Sequence, residues 1–130
     1  QRDQLGEALK CFLQALQIMS RCLPDIHPKI AKTLKNIGSV FGMYGQNEQA
    51  LQAFTKALSI QRRCLPSNHP DLADSLRDLG IYYVNIGNLS EALNYYEQAK
   101  HILNQELSPD HPLCVQIQND IAEVQLALLH

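Results

Sequence analysis

The 130-residue chain has no excess of positive charge: 11 Lys and Arg stand against 13 Asp and Glu, for a formal net charge of −2. Nucleic-acid binders cluster surplus Lys and Arg opposite the phosphates, so nucleic acid is not an expected partner. Cysteine is sparse and unpatterned. Cys11, Cys22, Cys64 and Cys114 form no Cys-x-x-Cys pair, which excludes the dense framework of a small secreted disulfide scaffold and fits free thiols in a reducing, cytoplasmic setting. The longest apolar runs, such as Leu126 to Leu129, fall far short of the roughly 18 residues of a membrane span. No charged-then-apolar leader precedes Leu5. No Gly-rich phosphate loop, nucleophile elbow or paired-carboxylate arrangement occurs; no enzyme activity and no cofactor are expected.

What the chain does have is a period. His27-Pro28, His69-Pro70 and His111-Pro112 recur every 42 residues, each between stretches of apolar residues at helical spacing. The same offset brings Ala8, Ala50 and Ala92 into register, then Phe12, Phe54 and Tyr96, then Ala15, Ala57 and Ala99. Steps of four and three put small, aromatic and small residues on one helix stripe, where the alanines permit close approach and the ring fills the gap. A second helical pattern runs through Leu34, Ile37, Gly38 and Phe41, and through Leu76, Leu79, Gly80 and Tyr83. Glycine within a helix costs up to about 1 kcal/mol against alanine, so its recurrence predicts close packing at that turn.

Tyr44-Gly45-Gln46-Asn47 and Ile86-Gly87-Asn88 read as helix ends with glycine left-handed, and Asn47 or Ser90 is expected to cap the helix that follows. In the longer connections, Leu23 to His27, Leu65 to His69 and Leu107 to His111, the proline after each histidine suits a first helical position. Six helices are predicted, at roughly 4–22, 29–43, 47–64, 71–86, 90–106 and 113–129, with antiparallel neighbours. Each repeat buries its surface only against neighbours, so the core is expected to be a long strip. Cys22 and Cys64 occupy equivalent positions; helix axes roughly 8–10 Å apart make a bond between them improbable, since a disulfide needs Cα atoms within about 7 Å.

Residues Leu34 to Ala57 and Leu76 to Ala99 resemble the tetratricopeptide repeat, with its large residue, Leu-Gly, Tyr, and then Ala, Phe and Ala at matching offsets. The family period is about 34 residues. The longer period here, with a Leu-Pro-x-x-His-Pro connection, resembles the kinesin light chain subtype. The resemblance implies an all-α fold of antiparallel helix hairpins stacked in a right-handed α-α superhelix. It divides the chain into a half repeat 1–24, repeats of about 28–66 and 70–108, and a terminal half repeat 112–130. The phase, opening on a second helix and closing on a first, fits an excised piece of a longer array. A natural terminal cap is the other reading, since Gln118 and Gln125 replace large apolar residues.

In this family the first helices line the concave wall, so a peptide site is expected on their solvent-facing positions. These are Lys32, Lys35, Asn36 and Ser39; then Asp74, Arg77, Asp78 and Ile81; then Gln116, Asn119, Asp120 and Glu123. Asn36 corresponds to an asparagine that in such repeats bonds a bound peptide's backbone, and Arg77 offers a fork for a carboxylate. Kinesin light chains hold cargo peptides with a tryptophan beside acidic residues in a positively charged groove. Asp74, Asp78, Asp120 and Glu123 depart from that, leaving Lys32, Lys35 and Arg77 as the places for an acidic ligand.

The three histidines lie on successive rungs rather than converging on one ion, so capping or turn hydrogen bonds are expected and no metal site. Cys114 opens a helix, where a thiol pKa can fall, but no base is placed for it; a small buried apolar role is the default for every cysteine. Tyr83 and Tyr96 are expected in the core stripe, with Tyr82 and Tyr95 freer. The resulting expectation is a non-catalytic scaffold, possible cargo adaptors included, that binds a protein or peptide ligand. Two alternatives are an accessory or autoinhibitory module of a larger enzyme-containing polypeptide, and self-association through open ends exposing Leu5, Leu9 and Leu16 on one side and Val124, Leu128 and Leu129 on the other.

Overall fold

The computed structural model describes residues 2–22 and 27–130. Among them every regular element is an α-helix: α1 Arg2–Cys22, α2 Pro28–Met43, α3 Asn47–Cys64, α4 Pro70–Asn85, α5 Leu89–Glu106 and α6 Pro112–Leu128. Each lies within about two residues of its predicted bounds. Pro28, Pro70 and Pro112 open their helices, where a missing N–H removes no hydrogen bond. The expected connection from Leu23 to His27 falls, except for His27, outside the described residues. In the two others the histidine N–H donates back three residues, His69 to Pro66 and His111 to Ser108, both at 3.0 Å.

The short turns are two copies of one device. Gly45 and Gly87 sit at φ of 78° and 85°, the left-handed region that glycine enters without a Cβ penalty. Gly45 N–H donates to the Gly42 carbonyl at 3.0 Å and Gln46 N–H to Phe41 at 2.9 Å; Gly87 and Asn88 repeat this with Val84 and Tyr83 at 3.0 and 2.8 Å. This double closure satisfies the last carbonyls of α2 and α4. It also moves the caps from where the sequence placed them. The residue closing the turn is already the last non-helical one, so Gln46 and Asn88 are the N-caps, and Asn47 and Ser90 lie inside their helices. The Asn88 side chain accepts from Glu91 N–H at 3.3 Å, whereas Gln46 makes no such bond.

The chain forms two compact units, Gln1–Leu65 and Pro66–His130. In the first, α2 and α3 form a hairpin and α1 packs on α2; in the second, α4 and α5 form the hairpin and α6 packs on α5. The first core joins Ile30, Ala31 and Leu34 to Ala57 and Ile60, flanked by Leu16, Met19 and Cys64. The second buries Leu72, Leu76 and Leu79 with Tyr96, Leu103, Ile117 and Ile121. Ala50, Ala57, Ala92 and Ala99 are fully enclosed, as the small-aromatic-small stripe requires. A Cβ on Gly38 would lie 2.9 Å from the Phe54 ring, and one on Gly80 2.5 Å from that of Tyr96. Close approach of the paired helices therefore needs both glycines.

Three expectations change. Val124 is buried rather than part of an open end, because it continues the α6 stripe of Cys114, Ile117 and Ile121 against α5; Leu128 and Leu129 are exposed, and Leu5, Leu9 and Leu16 are half-buried. Only Cys114 of the four free thiols is fully buried, while Cys11 and Cys22 face solvent and Cys64 is intermediate. Tyr95 is not free either: its ring stacks on Tyr83, centroids 5.4 Å apart and 7° from parallel, with Tyr82 edge-on to Tyr83 at 5.0 Å. Offset and edge arrangements of this kind stabilise by about 1 kcal/mol beyond area burial. No helix of the described residues is long and apolar enough to cross a membrane.

Candidate functional site

Each His-Pro step does the same job. The Nδ1 atoms of His27, His69 and His111 accept from the backbone N–H of Lys29, Asp71 and Leu113, at 3.1, 3.0 and 3.1 Å. The histidine is thus the N-cap of α2, α4 and α6, satisfying a donor that the helix cannot. These caps fix where each first helix begins, and with it which side chains face outward.

On α2, Lys32, Asn36 and Ser39 are exposed; Lys35 is half-buried and engaged with neighbouring groups. On α4, Asp74 is exposed, and Arg77, Asp78 and Ile81 are half-buried. On α6, Gln116, Asn119 and Glu123 are exposed and Asp120 is half-buried. Arg77 Nε donates to Asp120 Oδ2 at 2.6 Å, with the two side chains 27% and 17% exposed. The fork expected to receive a ligand's carboxylate is therefore turned to a carboxylate of its own chain. Burial alone would lower the Arg77 pKa; the hydrogen bond and charge of Asp120 outweigh it and hold the guanidinium above its ordinary value.

Tyr96, 3% exposed, lies within reach of this pair's charges. Burial, then the negative charge of Asp120, pushes its pKa up to about 12, with Arg77 opposing. Burial likewise raises the Tyr83 phenol, assisted by Tyr95.

Beside the ion pair, α4, α5 and α6 enclose a cleft of about 180 Å³. Its apolar lining comes from Ala73, Leu103, Leu113 and Ile117, and its polar rim from Asp71, Asp74, Arg77 and Gln116. Three expected site residues, Asp74, Arg77 and Gln116, thus meet at one opening. Asp78, Ile81 and Asn119 do not line it, and Lys32, Lys35, Asn36 and Ser39 belong to the other unit. That unit has its own cleft of about 350 Å³ among Leu16, Ser20, Ile30, Leu34 and Lys56, which none of the four expected residues lines.

One feature escapes the whole-chain charge count. Residues 1–65 hold nine Lys and Arg against four Asp and Glu, and residues 66–130 hold two against nine. The near-neutral total conceals a basic unit and an acidic one. Counting charge by repeat rather than by chain would have found it.

The tetratricopeptide repeat profile matches residues 1–63 and 45–105. No curated protein matches the sequence. Among solved structures, a Podosopora anserina protein described as a kinesin light chain with nearly identical TPR-like repeats is 26% identical, with a TM-score of 0.76 over 96% of this chain and 59% of that one. A single-substitution variant of it gives a TM-score of 0.78 at the same identity and coverage. BtubC (BKLC) from P. vanneervenii shares the fold, with a TM-score of 0.89 at 19% identity over 97% of this chain and 50% of that one. The chain spans about half to three fifths of the length of these solved chains. Domains of this family are generally non-catalytic and bind protein partners. With its 42-residue period, histidine-capped first helices and glycine-to-ring contacts, the chain belongs to the tetratricopeptide repeat family, in its kinesin light chain-like form.

Proposed function

We propose that the chain is a non-catalytic scaffold that binds a peptide segment of a partner protein at outward positions of its first helices, α2 in the first unit and α4 and α6 in the second. The observation that carries this is the cleft where Asp74, Arg77 and Gln116 meet over an apolar lining. Recognition sites of this kind combine an apolar pocket with a few polar groups that fix orientation. The repeat division at 1–24, 28–66, 70–108 and 112–130 belongs to the same reading, with Asn36 as a backbone-binding group in the first complete repeat. Cytoplasmic residence is supported by the exposed thiols of Cys11 and Cys22, which persist in a reducing environment.

Calorimetric titration of a bound peptide against wild type, Asn36→Ala, Gln116→Ala and the α5 surface control Glu97→Ala tests it. Loss of one hydrogen bond at either groove position is expected to weaken binding by roughly 1 kcal/mol, about fivefold, with the control unchanged. Equal affinity for all four proteins would remove the reading.

A second reading, self-association, is favoured by the exposure of Leu126, Leu128 and Leu129 at the end of α6, the last at 81%. Light scattering over a concentration series decides it, a constant monomer mass being the negative result.

A further inference from the structure

Resting on the peptide-scaffold reading above, we infer that the cleft of the second unit takes one apolar side chain of a peptide whose adjoining residues are lysine or arginine. Size sets the first part. A cavity near 150 Å³ holds a benzene-sized group, and small-molecule sites begin at about 300 Å³. The 180 Å³ here matches a single leucine, methionine or phenylalanine side chain against Ala73, Leu103, Leu113 and Ile117.

Charge sets the second. Asp71 and Asp74 stand on the rim one helical turn apart on α4. The rim's cation, Arg77, has its Nε on Asp120 at 2.6 Å, so its charge is largely matched within the protein. Asp78 on α4 and Glu123 on α6 add further negative charge to the same helices. The unit as a whole carries nine Asp and Glu against two Lys and Arg. An acidic segment approaching this opening meets net repulsion. A cationic one gains charge-assisted hydrogen bonds and is steered towards the site.

Selection of a random dodecapeptide display library against the folded chain tests the inference, followed by fluorescence anisotropy of the enriched peptides. Retained sequences are expected to carry Leu, Met or Phe beside Lys or Arg. They should bind about tenfold more weakly to Asp71→Asn/Asp74→Asn, whose helicity by circular dichroism is unchanged, and more weakly to wild type as salt rises. Enrichment of acidic or neutral peptides whose affinity falls with Asn36→Ala would leave the scaffold reading intact and overturn this inference. So would a basic preference that persists undiminished in the double variant. Enrichment of nothing would overturn both.

Discussion

Arg77 and Asp120 are 43 positions apart in sequence and 2.6 Å apart in space, joining α4 to α6 within electrostatic reach of the Tyr96 phenol. In the repeat register Arg77 corresponds to Asn119 and Asp120 to Asp78. The contact is thus a diagonal across rungs, not a ladder between equivalent positions, and the length of the arginine side chain makes it reachable.

Removing one partner leaves a half-buried charge without its counterion, so Asp120→Ala is expected to destabilise the protein by roughly 1–3 kcal/mol. Arg77→Met together with Asp120→Leu should lose less than the two single changes combined. Urea unfolding of the four proteins measures the coupling, which should be about 1 kcal/mol for a pair this exposed.

Gly80 and Gly42 should respond to alanine in opposite directions. A Cβ at Gly80 would lie 2.5 Å from the Tyr96 ring, and one at Gly42 meets nothing within 4 Å. Gly80→Ala is expected to lower stability by roughly 1–3 kcal/mol despite the better helix propensity. Gly42→Ala is expected to raise it by about 0.5 kcal/mol. Thermal melts followed by circular dichroism distinguish the two.

His69→Ala removes the acceptor for Asp71 N–H and should cost about 1 kcal/mol, while His69→Asn, which retains a capping oxygen, should recover most of it. The same pair of changes at His111 should behave alike, since its cap bond to Leu113 has the same geometry at 3.1 Å. Urea midpoints of the four variants provide the comparison.

Alkaline pH should unfold the protein partly through one phenol. The pKa of Tyr96 is raised from 10.0 to about 12 on folding. The folded chain therefore keeps this proton after the unfolded chain has lost it. Stability from this group is complete below pH 10 and is lost as pH climbs to about 12, by roughly 2–3 kcal/mol. Tyr96→Phe should flatten the stability profile over that interval, and the tyrosinate absorbance of wild type should include a ring titrating near pH 12 that is missing from the variant, while the raised Tyr83 phenol remains in both.

The parts of the fold legible in the sequence are those that repeat or that act locally. Helix bounds followed from apolar spacing and from proline at first positions, and close packing at Gly38 and Gly80 followed from their recurrence, although the rings they meet, Phe54 and Tyr96, came only from the structure. For His27, His69 and His111 the sequence left capping and turn hydrogen bonds open, and the structure shows all three capping through Nδ1. Cap assignment failed at Asn47 and Ser90 because backbone closure around Gly45 and Gly87, rather than side-chain preference, decides where α3 and α5 begin. The site was less legible. Its outward positions could be enumerated along each helix, but the Arg77 to Asp120 pairing and the Tyr83 to Tyr95 stack depend on how far particular side chains reach between helices. Periodicity carries no such information.

The exposed thiols of Cys11 and Cys22 share one stripe of α1, since eleven residues complete just over three full turns. They stand about 16 Å apart along the helix, more than twice the separation a disulfide can bridge. Air oxidation at these two sulfurs consequently cannot close a ring between them. It crosslinks separate molecules instead, and the same spacing offers two attachment points for a dye or spin label along a single rigid rod.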